Sequence, residues 1–149
     1  MHRVRVVAAV LSVGIVGAAF ASPAGAGERL TKKEVRQEAN SICEAGNVAL
    51  GAVFDAAFGE FSSLSEVPEQ VLADAVQEAV GLFRDALDDV EEVEGPAAFD
   101  KKVDKVLDRY RDAADEIADD PERAFSDEDI WAQADKAARK LGLRECVQG

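Results

Sequence analysis

The sequence predicts an all-α fold: an antiparallel four-helix bundle, up-down-up-down, closed by one disulfide. Three observations carry this expectation. Apolar residues recur at alternating three- and four-residue steps in four segments. Those segments are bounded by capping residues, glycine and proline, and no stretch alternates at period two as a half-buried strand would.

The first helix opens at Thr31 as N-cap with Glu34 three positions on, a reciprocal capping box, and Leu30 and Val35 are spaced to pack across it as a hydrophobic staple. Val35, Ala39, Ile42, Gly46, Ala49 and Val53 then step along one face, and the helix is expected to run to about Phe61. Gly46, beside Ala39 and Ala49, is read as a packing position that lets a partner helix come close. A turn follows, and Pro68 is tolerated only within the first turn of the second helix, whose apolar side is Leu72, Val76, Ala79, Phe83, Leu87, Val90 and Val93. Gly95 and Pro96 are expected to end it. The third helix has the cleanest period, Phe99, Val103, Val106, Tyr110, Ala113 and Ile117, and stops near Asp119 because Pro121 disfavours helix just before it. Ser126 is expected to cap the fourth, with Asp129 at its third position and Phe125 and Ile130 as a second staple. Gly142 closes that helix, with Leu143 placed for the contact that accompanies a glycine cap.

Residues 1–26 have the pattern of a secretory signal: His2, Arg3 and Arg5 precede an apolar run too short to cross a bilayer comfortably. Cleavage is expected after Ala21 or Ala26, and Pro23 favours the second. Residues 27–149 then form a single domain, and nothing beyond the leader is expected to be long and apolar enough to cross a membrane. The chain carries 17 Lys and Arg against 30 Asp and Glu, a formal charge of −13 that becomes two units more negative without Arg3 and Arg5. Nucleic acid and anionic membrane surfaces both need a basic face, so neither is expected as a partner. An exported chain with one even pair of cysteines is most simply bridged once, Cys43 to Cys146; two free thiols or an intermolecular bridge are the alternatives. Cys43 lies about 18 Å along the first helix, so either the fourth helix stops short or the residues after Gly142 fold back to reach it.

LTKKEVRQEANSIC, residues 30–43, taken with KAARKLGLREC, residues 136–146, resembles a loose group of small exported or lipid-anchored proteins of high-GC Gram-positive bacteria. The shared marks are a leucine-threonine helix start, an isoleucine-cysteine pair, and a closing alanine-rich helix with glycine-leucine and a second cysteine. The resemblance implies a helical extracytoplasmic domain with no assigned activity. No cysteine follows the signal here, which departs from the lipid-anchored members.

His2, in the expected leader, is the only histidine. The remaining chain is therefore not expected to carry histidine-dependent catalysis or an ordinary zinc or haem site, and bridging both cysteines would leave no thiolate nucleophile. No catalytic residue and no cofactor are assigned. Trp131 and Tyr110 are the amphipathic rings available for a ligand or partner, although plugging the core is the plainer role. The acidic segment 119–129 supplies Asp119, Asp120, Asp127 and Asp129 as calcium candidates without EF-hand spacing, and a charged, solvated loop is the plainer reading. Asp100, Asp104, Asp108 and Asp112 alternate with Lys101, Lys105 and Arg109, which predicts ion pairs across three residues. The expected function is an exported non-enzymatic domain that binds a protein or small ligand. A carboxylate-dependent glycan hydrolase and a calcium-responsive module are the alternatives.

Overall fold

The computed structural model describes residues 29–126 and 128–148. The expected leader, with both cleavage sites, and Asp127 lie outside the described residues. Among those described, the chain forms four α-helices and no strand: α1 (Lys32–Phe58), α2 (Glu69–Glu91), α3 (Ala97–Asp119) and α4 (Ala132–Leu141), with short 3-10 turns at Leu64–Glu66 and Pro121–Phe125.

The start of α1 follows from its local chemistry. The Thr31 N–H donates to Glu34 Oε2 at 2.8 Å, and the Glu34 N–H returns to Thr31 Oγ1 at 3.4 Å. The first of these bonds, and then the Thr31 hydroxyl donating to the same carboxylate at 2.7 Å, hold the Glu34 carboxyl below the usual carboxylate range. The helix ends at Phe58 rather than Phe61: Gly59, a weak helix former, is the C-cap, and the Phe61 N–H turns back to the Phe58 carbonyl. Gly46 makes the close approach expected of it, since a Cβ there would stand 3.1 Å from Ala86 Cβ of α2. By length and a mean hydropathy of 1.2, α1 is also apolar enough to cross a membrane, contrary to the expectation that nothing after the leader would be. Aliphatic and aromatic residues such as Val48, Leu50, Val53 and Phe54 supply much of that hydropathy, and Val48 stands 72% exposed.

Pro68 caps α2, which stops at Glu91, ahead of the expected Gly95-Pro96 ending. Gly95 serves close packing instead. A Cβ there would lie 2.4 Å from Val35 Cγ2, and the Gly95 N–H donates to the Asp100 carboxylate at 3.1 Å. At the far end, Gly142 adopts the left-handed conformation (φ 82°) and closes α4. The Leu143 N–H reaches the Ala138 carbonyl, the Gly142 N–H reaches that of Arg139, and Leu143 is fully buried.

The start of α4 departs most from expectation. Ser126 does not cap a helix; α4 begins at Ala132, after a 3-10 turn and an irregular stretch. Local polar bonds compete with helix here. The Ser126 hydroxyl donates to the Arg123 carbonyl and accepts from the Glu128 N–H, while the Arg123 guanidinium spans Glu116 and Glu128. Phe125 packs on Phe54 and Phe58 of α1.

The core sits between α2 and α3. Val76, Phe83, Leu87 and Val90 meet Val103, Val106, Tyr110 and Ile117, with Val35 and Ala39 of α1, Ala134 and Ala138 of α4, and Leu143 closing around them. Each large apolar side chain so buried stabilises the fold by about 1.5–3 kcal/mol before the cost of ordering it. On the surface, the ion pairs expected along α3 are mostly not made. Asp108 pairs with Arg111, which also reaches Asp88 and Glu91 of α2, whereas Lys101, Lys105 and Arg109 enter no ion pair among the described residues.

Candidate functional site

Cys43 and Cys146 stand at bonding distance, S–S 2.06 Å with Cα atoms 4.9 Å apart. The segment after Gly142 folds back along α1, one of the two routes the sequence left open. A stripe of α1 side chains one turn apart receives it. The Arg36 Nε donates to the Leu141 carbonyl, and the Asn40 amide donates to the Gly142 carbonyl while accepting from the Glu145 N–H. Cys43 comes next, and Asn47 then donates to the Glu145 carbonyl and accepts from the Gln148 amide. Arg36, Asn40, Cys43 and Asn47 recur at steps of four, three and four. That periodicity is present in the sequence, but Arg36, Asn40 and Asn47 are polar and read there as a solvated face.

The returning segment brings Gln148 to the rim of a cavity of about 200 Å3. Two aromatic triads flank this space. Phe83, Tyr110 and Trp131 form the inner one, with ring centroids 5.2–6.1 Å apart, and Phe54, Phe58 and Phe125 form the outer one at 5.6–6.0 Å. Phe83 and Trp131 of the first triad and Phe54 and Phe125 of the second line the cavity. Leu50, Val76, Ala79, Val80, Ile117 and Ala124 complete a wall in which Gln148 is the sole polar side chain. Its amide is tied to Asn47 and to the Cys146 carbonyl.

Trp131, half-buried just ahead of α4, therefore faces the cavity directly. Tyr110 is fully buried behind it. The Tyr110 hydroxyl donates to Asp135 Oδ1 at 2.7 Å, and Asp135 is the buried charged residue of the described chain. Asp135 also accepts from the Gln148 N–H at 3.1 Å and pairs with Arg139 at 3.7 Å. Burial, and then the bond to Asp135, push the Tyr110 phenol well above its usual range. The carboxylate of this polar knot does not line the cavity.

The calcium candidates lie apart from this site. Asp119 ends α3, Asp120 precedes the Pro121 turn, and both are exposed, as is Asp129. Among the described residues, no three His, Cys, Asp or Glu side chains come together closely enough to hold a metal ion. Phe54, Phe83 and Phe125 were not singled out from the sequence as site residues, because phenylalanine at helical spacing reads as core and only the fold shows which rings face a void. No protein-family model matches this chain, and neither does any curated protein or solved structure.

Proposed function

We propose that this chain is an exported, non-enzymatic helical domain that binds a small apolar ligand in the cavity between the two aromatic triads. The scaffold of this reading is an antiparallel up-down-up-down bundle. Its supports are the short connections and the bonds joining the start of α1 to the residues that close α4. Export is supported by the signal-like residues 1–26 and by a disulfide, which an oxidising compartment maintains. One observation carries the ligand class: a cavity walled by four aromatic rings and aliphatic side chains, with no charged group in its lining. Apolar walls of this kind favour apolar guests; about 150 Å3 suffices for benzene, so about 200 Å3 suits a single substituted ring or a short acyl chain. A glycan hydrolase would instead need two carboxyls roughly 5–10 Å apart lining its cleft, and this wall has none.

Trp131 is the only tryptophan, so its fluorescence reports on the cavity without ambiguity. Titration with indole-free probes such as toluene and n-octanol is expected to give a saturable change in that emission. Ala124→Leu, which fills the void from the half-buried 3-10 turn, is expected to weaken binding at least about tenfold, the equivalent of about 1.4 kcal/mol. Absence of saturation, or binding indifferent to Ala124→Leu, would refute the reading.

A further inference from the structure

A strongly acidic chain has no general reason to gather cations, yet the groove between α3 and α4 does so. It measures about 490 Å3 and is lined by Lys102, Lys105, Arg109, Lys136 and Lys140 without a single carboxylate. Helical spacing explains how they converge. Positions 102, 105 and 109 share one face of α3, positions 136 and 140 one face of α4, and the Arg109 guanidinium donates across the gap to the Gln133 carbonyl. The floor is apolar, formed by Val106, Ala137 and Leu141.

What sets these five apart is that they converge on one groove whose lining holds no carboxylate. Arg84, Arg111 and Arg123 are each held by one or more carboxylates on neighbouring segments. None of the five groove cations has a carboxylate within 4.0 Å among the described residues, although acids outnumber bases almost two to one. Gathered like charges repel one another, and an anion entering the groove relieves that repulsion.

We propose that this groove binds a compact polyvalent anion, a small molecule bearing two or more phosphate or sulfate groups. Size and screening select that class. Lys102 to Arg109 covers about 10 Å of helix at about 1.5 Å per residue, room for two or three phosphates in a row. At physiological ionic strength the screening length is about 8 Å, so a small anion seated among the five cations is closer to them than to Asp108 and Asp112, the acids that border Arg109. A nucleic acid or an anionic bilayer reaches past the groove to exposed acids such as Asp108 and Asp112 and is repelled. Four of the five cations are lysines, whose flexible ammonium groups adapt to differently spaced oxygens.

Calorimetric titration of the disulfide-bonded protein with inorganic tripolyphosphate tests this. One saturable site is expected, weakened by added salt, with orthophosphate at least about tenfold weaker. Lys105→Gln and Lys136→Gln are each expected to weaken binding by about threefold to tenfold, while Lys33→Gln, at the exposed start of α1, changes it by less than about twofold. All three residues are exposed, so the variants are expected to fold, which circular dichroism checks. No binding at about 1 mM tripolyphosphate, equal losses in the control, or tighter binding to a single-stranded oligonucleotide or to phosphatidylglycerol vesicles at matched phosphate would each overturn the proposal.

Discussion

Asp135 illustrates what a single residue contributes. A carboxylate 1% exposed is tolerable only with partners, and its donors come from three places in the chain: the Tyr110 hydroxyl of α3, Arg139 one turn along α4, and the Gln148 N–H of the returning segment. Tyr110→Phe keeps the ring and deletes one donor to that buried charge. The expected loss is about 1.5–3 kcal/mol of unfolding free energy, measured by denaturant titration. The pH dependence follows from the raised phenol. A group whose folded pKa exceeds its unfolded value contributes stability that is fully present below the unfolded value, about 10 for tyrosine, and is lost as pH rises above it. Because Tyr110 is the only tyrosine, tyrosinate absorbance is expected to appear together with alkaline unfolding rather than before it. Tyrosinate formed in a still-folded protein would contradict the buried bond. Tyr110 was legible from the sequence as a core position through its period on α3. Asp135 was not, since an acid on an amphipathic helix reads as solvated until the fold supplies its donors.

Among the elements, the helices themselves were legible because apolar period and capping chemistry act over a few residues. Thr31 with Glu34, the period of α3, and Gly142 with Leu143 all form from neighbours in sequence. The start of α4 was not legible. Ser126 has the same local signature as Thr31, but Arg123 is drawn to Glu116 of α3 and Phe125 to the α1 rings, so the segment forms a 3-10 turn. Glycines separate the two influences by experiment. Gly81 lies within α2 with nothing near the position of a Cβ, and Gly81→Ala is expected to stabilise by about 0.5–1 kcal/mol through helix propensity alone. Gly95→Ala forces a methyl onto Val35 and disturbs the bond to Asp100, and is expected to destabilise by about 1–3 kcal/mol. Thermal melts of the two variants should move in opposite directions; a shift in the same direction would show that tertiary contact does not govern Gly95.

For the molecule as a whole, the bridge between Cys43 and Cys146 spans 103 residues, and on the chain-entropy model a loop near that length is worth about 4.7 kcal/mol. Reduction is expected to lower stability by roughly that amount and to loosen the 142–148 segment. Because Gln148 borders the apolar cavity and bonds to Asp135, toluene affinity read from Trp131 is expected to fall on reduction under conditions where the helices persist. Unchanged affinity would separate the cavity from the bridge. By itself the sequence determined the helical class, the capped start of α1 and the Gly142 close of α4, and it favoured the Cys43–Cys146 bridge, since each follows from local periodicity, caps or simple parity. Only the tertiary structure decided that four rings line a void, that Asp135 finds three donors, and that five cations from two helices share one groove. Those features need residues far apart in the chain to meet, and hydrophobic burial acting on all the helices at once sets which of them do.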